Sequence, residues 1–544
     1  MWSFIQYRRL GQQCVLETAE RQKLEKTEKH AETPTHDADA NSKTEANLPN
    51  DFLVREIDDN DPINPRNWPL ASRAKNIAIL SLLIFVQAWA GADASMANSA
   101  ASKEFGVSST AENAYTASYL FGIGAGALFA GPLSETVGRN PTYLGSTFCF
   151  LLFVMGSALS TSFGGQVACR FFVGLFSSAT LAINGASVRD QFRPVKRAFV
   201  FPVIAWANVA GKARSHCLTY HLACQHHVNY GTAPVIAPIC GGWIVANPNL
   251  GWRWTIWVTL IISSFAFVVA LLFLPETYLP ILLDWKAKQL RKTTGDKRYT
   301  SEHAQSENFL SRLKKIGPLP ARFLATEPVV TVLGAYLVLL YSLLFSFLSG
   351  FDYIFKQTYS LSTQQTGSCF GAIAAGTTVF TLGAPWFYSL ARRHTEHIRG
   401  APVEPEFRLW PAMITAPLLP ISLFWLGWTN RPDISIWSGL AACFCFGLVL
   451  IATYVSSYEY IIDSYQDHAA IALASITMVR YLIAGGVVMA ARPMYERLGV
   501  SWTMTLLGCI GTVLAPAPWV FWKFGQKLRK KSPYAKGPEE DHDR

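Results

Sequence analysis

The sequence predicts an all-α integral membrane protein of about twelve transmembrane helices in two pseudo-symmetric six-helix bundles. Three observations predict it. The 544-residue chain is 50% hydrophobic and only 15% charged, with a mean hydropathy of +0.20. Apolar runs of roughly 20 residues, the helical length that crosses a hydrocarbon core of about 30 Å, recur from Asn76 almost to the C-terminus. One polar stretch, Glu276 to Glu327, divides these runs into two sets of six. Lipid offers backbone N–H and C=O groups no partner, so each run must satisfy them internally as a helix.

In chain order, residues 1–75 read as a cytoplasmic, largely disordered tail, too polar to supply a cleavable apolar signal core. The first bundle occupies 76–275, with spans near 76–97, 113–131, 141–160, 164–187, 198–247 and 253–274. A cytoplasmic loop, 276–327, follows. The second bundle is 328–524, with spans near 328–350, 366–390, 408–428, 434–456, 468–490 and 501–523, and 525–544 is a cytoplasmic tail.

Orientation follows from the Lys and Arg near the span ends. With the N-terminus inside, the cytoplasmic loops hold Arg139, then Arg189, Arg193, Lys196 and Arg197, then "DWKAKQLRKTTGDKR", then Arg392, Arg393, Arg399 and Arg408. The opposite loops carry chiefly Lys103, Arg431, Arg492 and Arg497. The net charge of +10 is thus an orientation signal and gives a nucleic-acid partner no support. Ten scattered cysteines, several inside apolar runs, are not a disulfide framework. The basic central loop suits anionic cytoplasmic lipid.

Three motifs carry chemistry. "GPLSETVGRNP", Gly131 to Pro141, joins spans two and three and offers Glu135 and Arg139 as a latch between helices. "CRFFVGLFSSA" places Arg170 inside span four with Gly174 one turn away; a charge at membrane depth costs at least a few kcal/mol, so it faces the bundle interior or a wet cavity. "APVIAPICGGW", Ala233 to Trp243, sets small residues where helices can approach closely.

The first loop resembles the Gly-x-Leu-Ala-Asp-x-x-Gly-Arg signature of the major facilitator superfamily, with Leu133, Gly138 and Arg139 matching and Glu135 standing for Asp. Arg170 and Gly174 resemble the family's Arg-x-x-x-Gly motif. Pro234, Pro238, Gly241 and Gly242 are similar to its antiporter motif in span five, with Ala233 and Ala237 in place of glycines. "DPINPRNWP", "LPETYLPILL", "EPEFRLWP" and "YIIDSYQDHAAIALASITMVRYLIAGG" narrow the resemblance to the fungal twelve-spanner drug:proton antiporters, the multidrug and polyamine exporters. The chain departs from that pattern after Arg480, where "GGVVMAARPMYERLGVSW" replaces a Phe-Pro-Leu-Phe-like run.

The resemblance implies two bundles rocking about a central site, and a proton flowing inward to drive a small molecule outward. It implies no enzyme, no metal, no cofactor beyond the proton gradient, and a monomer in the plasma membrane, with the vacuolar membrane as the other location. The ionisable candidates for coupling and gating are Asp93, Arg170, Arg480, Glu135 and Arg139. Asp93 has a second reading, as a lumenal headgroup residue beside Asn98. Glu459 and Asp463 suit an inner gating bridge. Trp89, Tyr119, Tyr341, Phe345, Tyr454 and Tyr458, with Tyr353, are candidates to line an amphipathic pocket for flat or cationic substrates. Proton-coupled export of drugs, secondary metabolites or polyamines leads; uptake of a nutrient or polyamine is the alternative.

Inside span five sits "GKARSHCLTYHLACQHHVNYGT", Gly211 to Thr232. Its His and Cys residues suggest zinc on composition alone, yet the boxes of a diiron enzyme are missing elsewhere, and Lys212 and Arg214 would be costly beside lipid. Gly-Lys at 211–212 can be encoded GGTAAG, a splice donor, and Thr-Ala at 232–233 ACAGC, an acceptor, in the same codon phase. Excision joins "AWANVA" to "APVIAPICGG" as one continuous span. A translated intron is the favoured expectation.

Overall fold

The computed structural model describes residues 2–31, 52–55, 61–93, 95–192, 233–301, 311, 313–314, 317–397, 405–465 and 468–535. The stretch 211–232 and the first part of span five lie outside the described residues.

The first bundle is built from α1 (Leu70–Ala90), α2 (Ser109–Val137), α3 (Arg139–Leu159), α4 (Phe163–Gln191), α5 (Ala233–Ala246) and α6 (Trp254–Phe273). Ser108 and Ser162 start α2 and α4 by accepting the N–H groups of Ala111 and Gly165, the N-cap role that suits serine. Where a loop was expected between spans two and three, α2 runs through Pro132 to Val137 and breaks at Gly138, whose φ of 108° few other residues adopt.

The second bundle is built from α7 (Pro328–Phe351), α8 (Gly371–His397), α9 (Leu418–Thr429), α10 (Ile436–Tyr465), α11 (Ala469–Leu514) and α12 (Ala517–Lys531). Span seven ends in one π-helical turn, Asp352–Gln357, and a short capped helix, Thr363–Cys369, precedes α8. α11 is two helices across a kink at Gly499, at φ 73° and ψ 172°, so spans eleven and twelve join without a loop. That conformation is essentially reserved to glycine. Gly499→Ala is therefore expected to destabilise the protein by about 1–3 kcal/mol, read as a lower thermal midpoint of the purified protein.

Among the described residues, nine helical stretches are long and apolar enough to cross a membrane, one of them Ala469–Lys531, which carries two expected spans. Large apolar side chains such as Phe265, Trp386, Trp437 and Val513 lie exposed on their outer faces, as lipid-facing helices require. The halves meet where α2 packs along α11 and where α5 packs on the helix Thr363–Cys369.

The N-terminal tail is a correction. Trp2–Ala31 is a single helix, not a disordered segment, and it docks on the helix Leu279–Thr294. Gln6 exchanges two hydrogen bonds with the backbone of Glu276, at 3.0 and 3.2 Å, Tyr7 meets Trp285 edge-on at 5.6 Å, and Cys14 is buried. These partners lie some 270 positions away, so a composition-based reading of the first residues misses them. A second departure from an all-helical chain is small: Leu53–Val54 pairs in parallel with Thr300–Ser301.

Candidate functional site

The first bundle buries an ion pair. α1 ends at Ala90, and the turn after it aims Asp93 at Arg170 of α4, with Arg170 Nη2 to Asp93 Oδ1 at 2.6 Å and both side chains almost wholly buried. Thr259 of α6 donates to Asp93 Oδ2 at 3.0 Å. Arg170 Nη2 also donates to the Ala90 carbonyl. The guanidinium lies over Tyr115 at 4.2 Å and Tyr119 at 4.9 Å. Asp93 is thus held by elements from spans one, four and six. Asn98 bonds Asn113, and the Asp93 side chain is buried within the protein.

Arg170 can reach Asp93 because α2 and α4 touch backbone to backbone. A Cβ built on Gly174 would lie 2.0 Å from the Tyr119 carbonyl oxygen, and one on Gly122 would lie 2.1 Å from that of Phe171. Tyr119 donates to the Gln87 carbonyl at 2.5 Å, and Trp89 Nε1 donates to Thr259 at 3.1 Å. Both are buried, as are Tyr341, Phe345, Tyr454 and Tyr458.

The second bundle buries Arg480 of α11 in a box of tyrosines. Its guanidinium lies 4.0 Å from the ring of Tyr341, 4.8 Å from Tyr481, 5.6 Å from Tyr454 and 5.8 Å from Tyr458. Tyr454 and Tyr458 pack together at 4.3 Å. Arg480 lies roughly 16 Å along α11 at 1.5 Å per residue. The two layers adjoin, because α2, which carries Tyr119, packs along α11: Gly124 faces Leu482, and Gly485 faces Phe121 and the Ala117 carbonyl. Phe345 and Tyr119 both border Gly91.

Each half has a charged latch at its helix ends. Arg139 opens α3 and pairs with Asp190 at the end of α4 at 2.9 Å, stacking on Tyr278 at 4.7 Å. The carboxylate that caps this helix start is Glu276, which accepts the N–H groups of Arg139 and Asn140 at 3.0 and 3.1 Å. The sequence reading paired Arg139 with Glu135 as a latch, and the acidic partner found for the Arg139 side chain is Asp190. Acceptance by Glu276 is possible because the chain returns there after span six. In the second half, Arg408 pairs with Asp463 at 2.8 Å and Glu459 at 3.0 Å, and Arg529 pairs with Glu406 at 2.8 Å.

The family model described as Major Facilitator Superfamily matches residues 78–213 and 228–489. The chain belongs to the major facilitator superfamily. The MFS-type transporter kojT of Aspergillus flavus is 37% identical over 88% of this chain and 82% of its own length. The citrinin biosynthesis cluster MFS transporter mrr1 of Monascus ruber is 31% identical over 89% and 92%. The proton:xylose symporter XylE in complex with 6-bromo-6-deoxy-D-glucose superposes with a TM-score of 0.58 over 84% of this chain and 96% of that one, at 14% identity, a likeness of fold. This superfamily member is a multi-pass membrane transporter, not an enzyme.

Within the superfamily fold, the span-five motif lies where the halves touch. A Cβ on Gly242 would sit 2.9 Å from the Thr363 carbonyl, and one on Gly241 would sit 3.4 Å from the Asp93 carbonyl; Gly367 in turn faces the Pro238 carbonyl at 2.7 Å. Pro234 falls in the first turn of the same helix. Four partners escaped the sequence reading. Tyr115 was legible, one helical turn before Tyr119. Thr259 sits in an unremarkable apolar run, Asp190 follows a loop arginine, and Tyr481 adjoins Arg480 in sequence; nothing local marks any of the three.

Proposed function

We propose that the chain is a proton-coupled secondary transporter that exports a small amphipathic molecule, a drug, a secondary metabolite or a polyamine, by alternating access. It works as a monomer in the plasma membrane, with the proton gradient as its energy source and no cofactor. One observation carries the reading: a carboxylate and a guanidinium, both almost wholly buried, are paired beside Tyr115 and Tyr119 inside the first bundle. Protonating Asp93 removes the anion that compensates Arg170. A buried charge left alone is costly, so proton binding favours a rearrangement of spans one and four. The match to relatives named for biosynthetic-cluster transport supports a compound made by the same cell.

Span five bears on activity as well. The superfamily match stops at 213 and resumes at 228, inside the stretch read as translated intron, which supports treating 211–232 as foreign to the bundle. In pump-deficient yeast, the chain without 211–232 is expected to give pH-dependent efflux of amphipathic compounds that the full chain does not. Efflux by the full chain would overturn the intron reading. Accumulation instead of efflux under an inward proton gradient would favour the uptake alternative.

A further inference from the structure

The tyrosine box around Arg480 holds a cation that no carboxylate among the described residues matches, and a buried guanidinium needs an anion. Arg480 is 1% exposed, and among the described residues no carboxylate is paired with it. Its Nε and Nη1 have no hydrogen-bond partner among the described residues. The acids of the surrounding helices are spent: Glu459, the residue after Tyr458 on α10, pairs with Arg408, as does Asp463, and Asp93 pairs with Arg170. Tyrosine faces partly offset the charge through cation–π attraction, but a ring face accepts no in-plane N–H bond of the kind the guanidinium fork offers to a carboxylate. The contrast with Arg170 is instructive, since that guanidinium also lies over two tyrosines and has its carboxylate besides.

We propose that Arg480 is the anion-binding group of the transport site and that the substrate is a small organic acid in its deprotonated form, with a flat apolar body. The acid's oxygens take the unpartnered N–H groups of Arg480, and its body lies against Tyr341, Tyr454, Tyr458 and Tyr481. This rests on the export reading and narrows it: cationic drugs and polyamines would meet a like charge at mid-membrane. It also sets the electrical character of the cycle. One proton moving in and one monoanion moving out carry two positive charge equivalents inward, so a membrane potential negative inside drives export, whereas one-for-one exchange with a monovalent cation is electrically silent.

The test uses the purified full chain and two probes of matched size, 1-naphthoate and 1-naphthylmethylammonium, with binding followed by quenching of intrinsic fluorescence. Naphthoate is expected to bind at least tenfold more tightly than the ammonium probe. Arg480→Gln is expected to erase that preference and Arg480→Lys to keep its sign while weakening naphthoate. Equal binding of the two probes, or tighter binding of the ammonium, overturns the proposal, and it does so on the unsubstituted protein even where Arg480→Gln fails to fold. A preference for naphthoate that survives in folded Arg480→Gln also overturns it. Proteoliposome flux separates the two readings: naphthoate that binds through Arg480 but does not respond to a pH gradient refutes proton-coupled export and leaves the anion site standing, whereas pH-driven flux of the ammonium probe alone keeps export and refutes the anion site.

Discussion

Asp93→Asn is expected to abolish pH-driven transport, a fall of roughly 100-fold or more if titration of Asp93 is, as proposed, the coupling step, in proteoliposomes with an imposed gradient. The pair it breaks is buried, so the substitution leaves Arg170 uncompensated and costs about 3–5 kcal/mol of stability. Stability and coupling are separable. Asp93→Asn combined with Arg170→Gln removes both charges; its thermal midpoint is expected to recover much of the loss while flux stays absent. Asp93→Glu keeps a titratable group one methylene longer and is expected to retain slow, pH-dependent flux. Unchanged pH dependence in folded Asp93→Asn would remove Asp93 from the coupling step.

Gly174→Ala is expected to damage both stability and transport although it adds one methyl group. The new Cβ would stand 2.0 Å from the Tyr119 carbonyl oxygen and 3.1 Å from the Ile123 nitrogen. Both atoms belong to backbone, which cannot rotate away as a side chain would, so α2 and α4 must separate. Overpacking of this kind costs typically about 1–3 kcal/mol and at times more. The same separation shifts Tyr119 and, one turn along α4, Arg170, so flux falls as well. Gly164→Ala on the same helix meets nothing within 4 Å and is expected to leave the thermal midpoint unchanged or raised, because alanine is the better helix former. Equal midpoints for the two variants would mean that the α2–α4 contact is not tight.

The legibility of this chain divides along a physical line. The helical membrane class and the superfamily were readable, because a bilayer imposes on each helix a local requirement of length and apolarity that neighbours cannot relax. Arg170, Asp93 and Arg480 were readable as candidates for a related reason: intramembrane charge is rare and costly wherever it falls. The sequence reading stumbled where partners are distant. It did not foresee that Glu276 caps the helix start at Arg139, and it saw a loose tail where Gln6 and Tyr7 bind the helix after span six.

What the sequence by itself determined is the membrane fold, its orientation signals, its family motifs and the short roster of buried charges. Only the tertiary structure decided how those charges are matched: Asp93 with Arg170, Asp190 with Arg139, Glu459 and Asp463 with Arg408, and, among the described residues, nothing acidic with Arg480. The reason is that the cost of burying a charge belongs to the residue, whereas its compensation belongs to a geometry that brings together helices separated by tens to hundreds of positions in the chain.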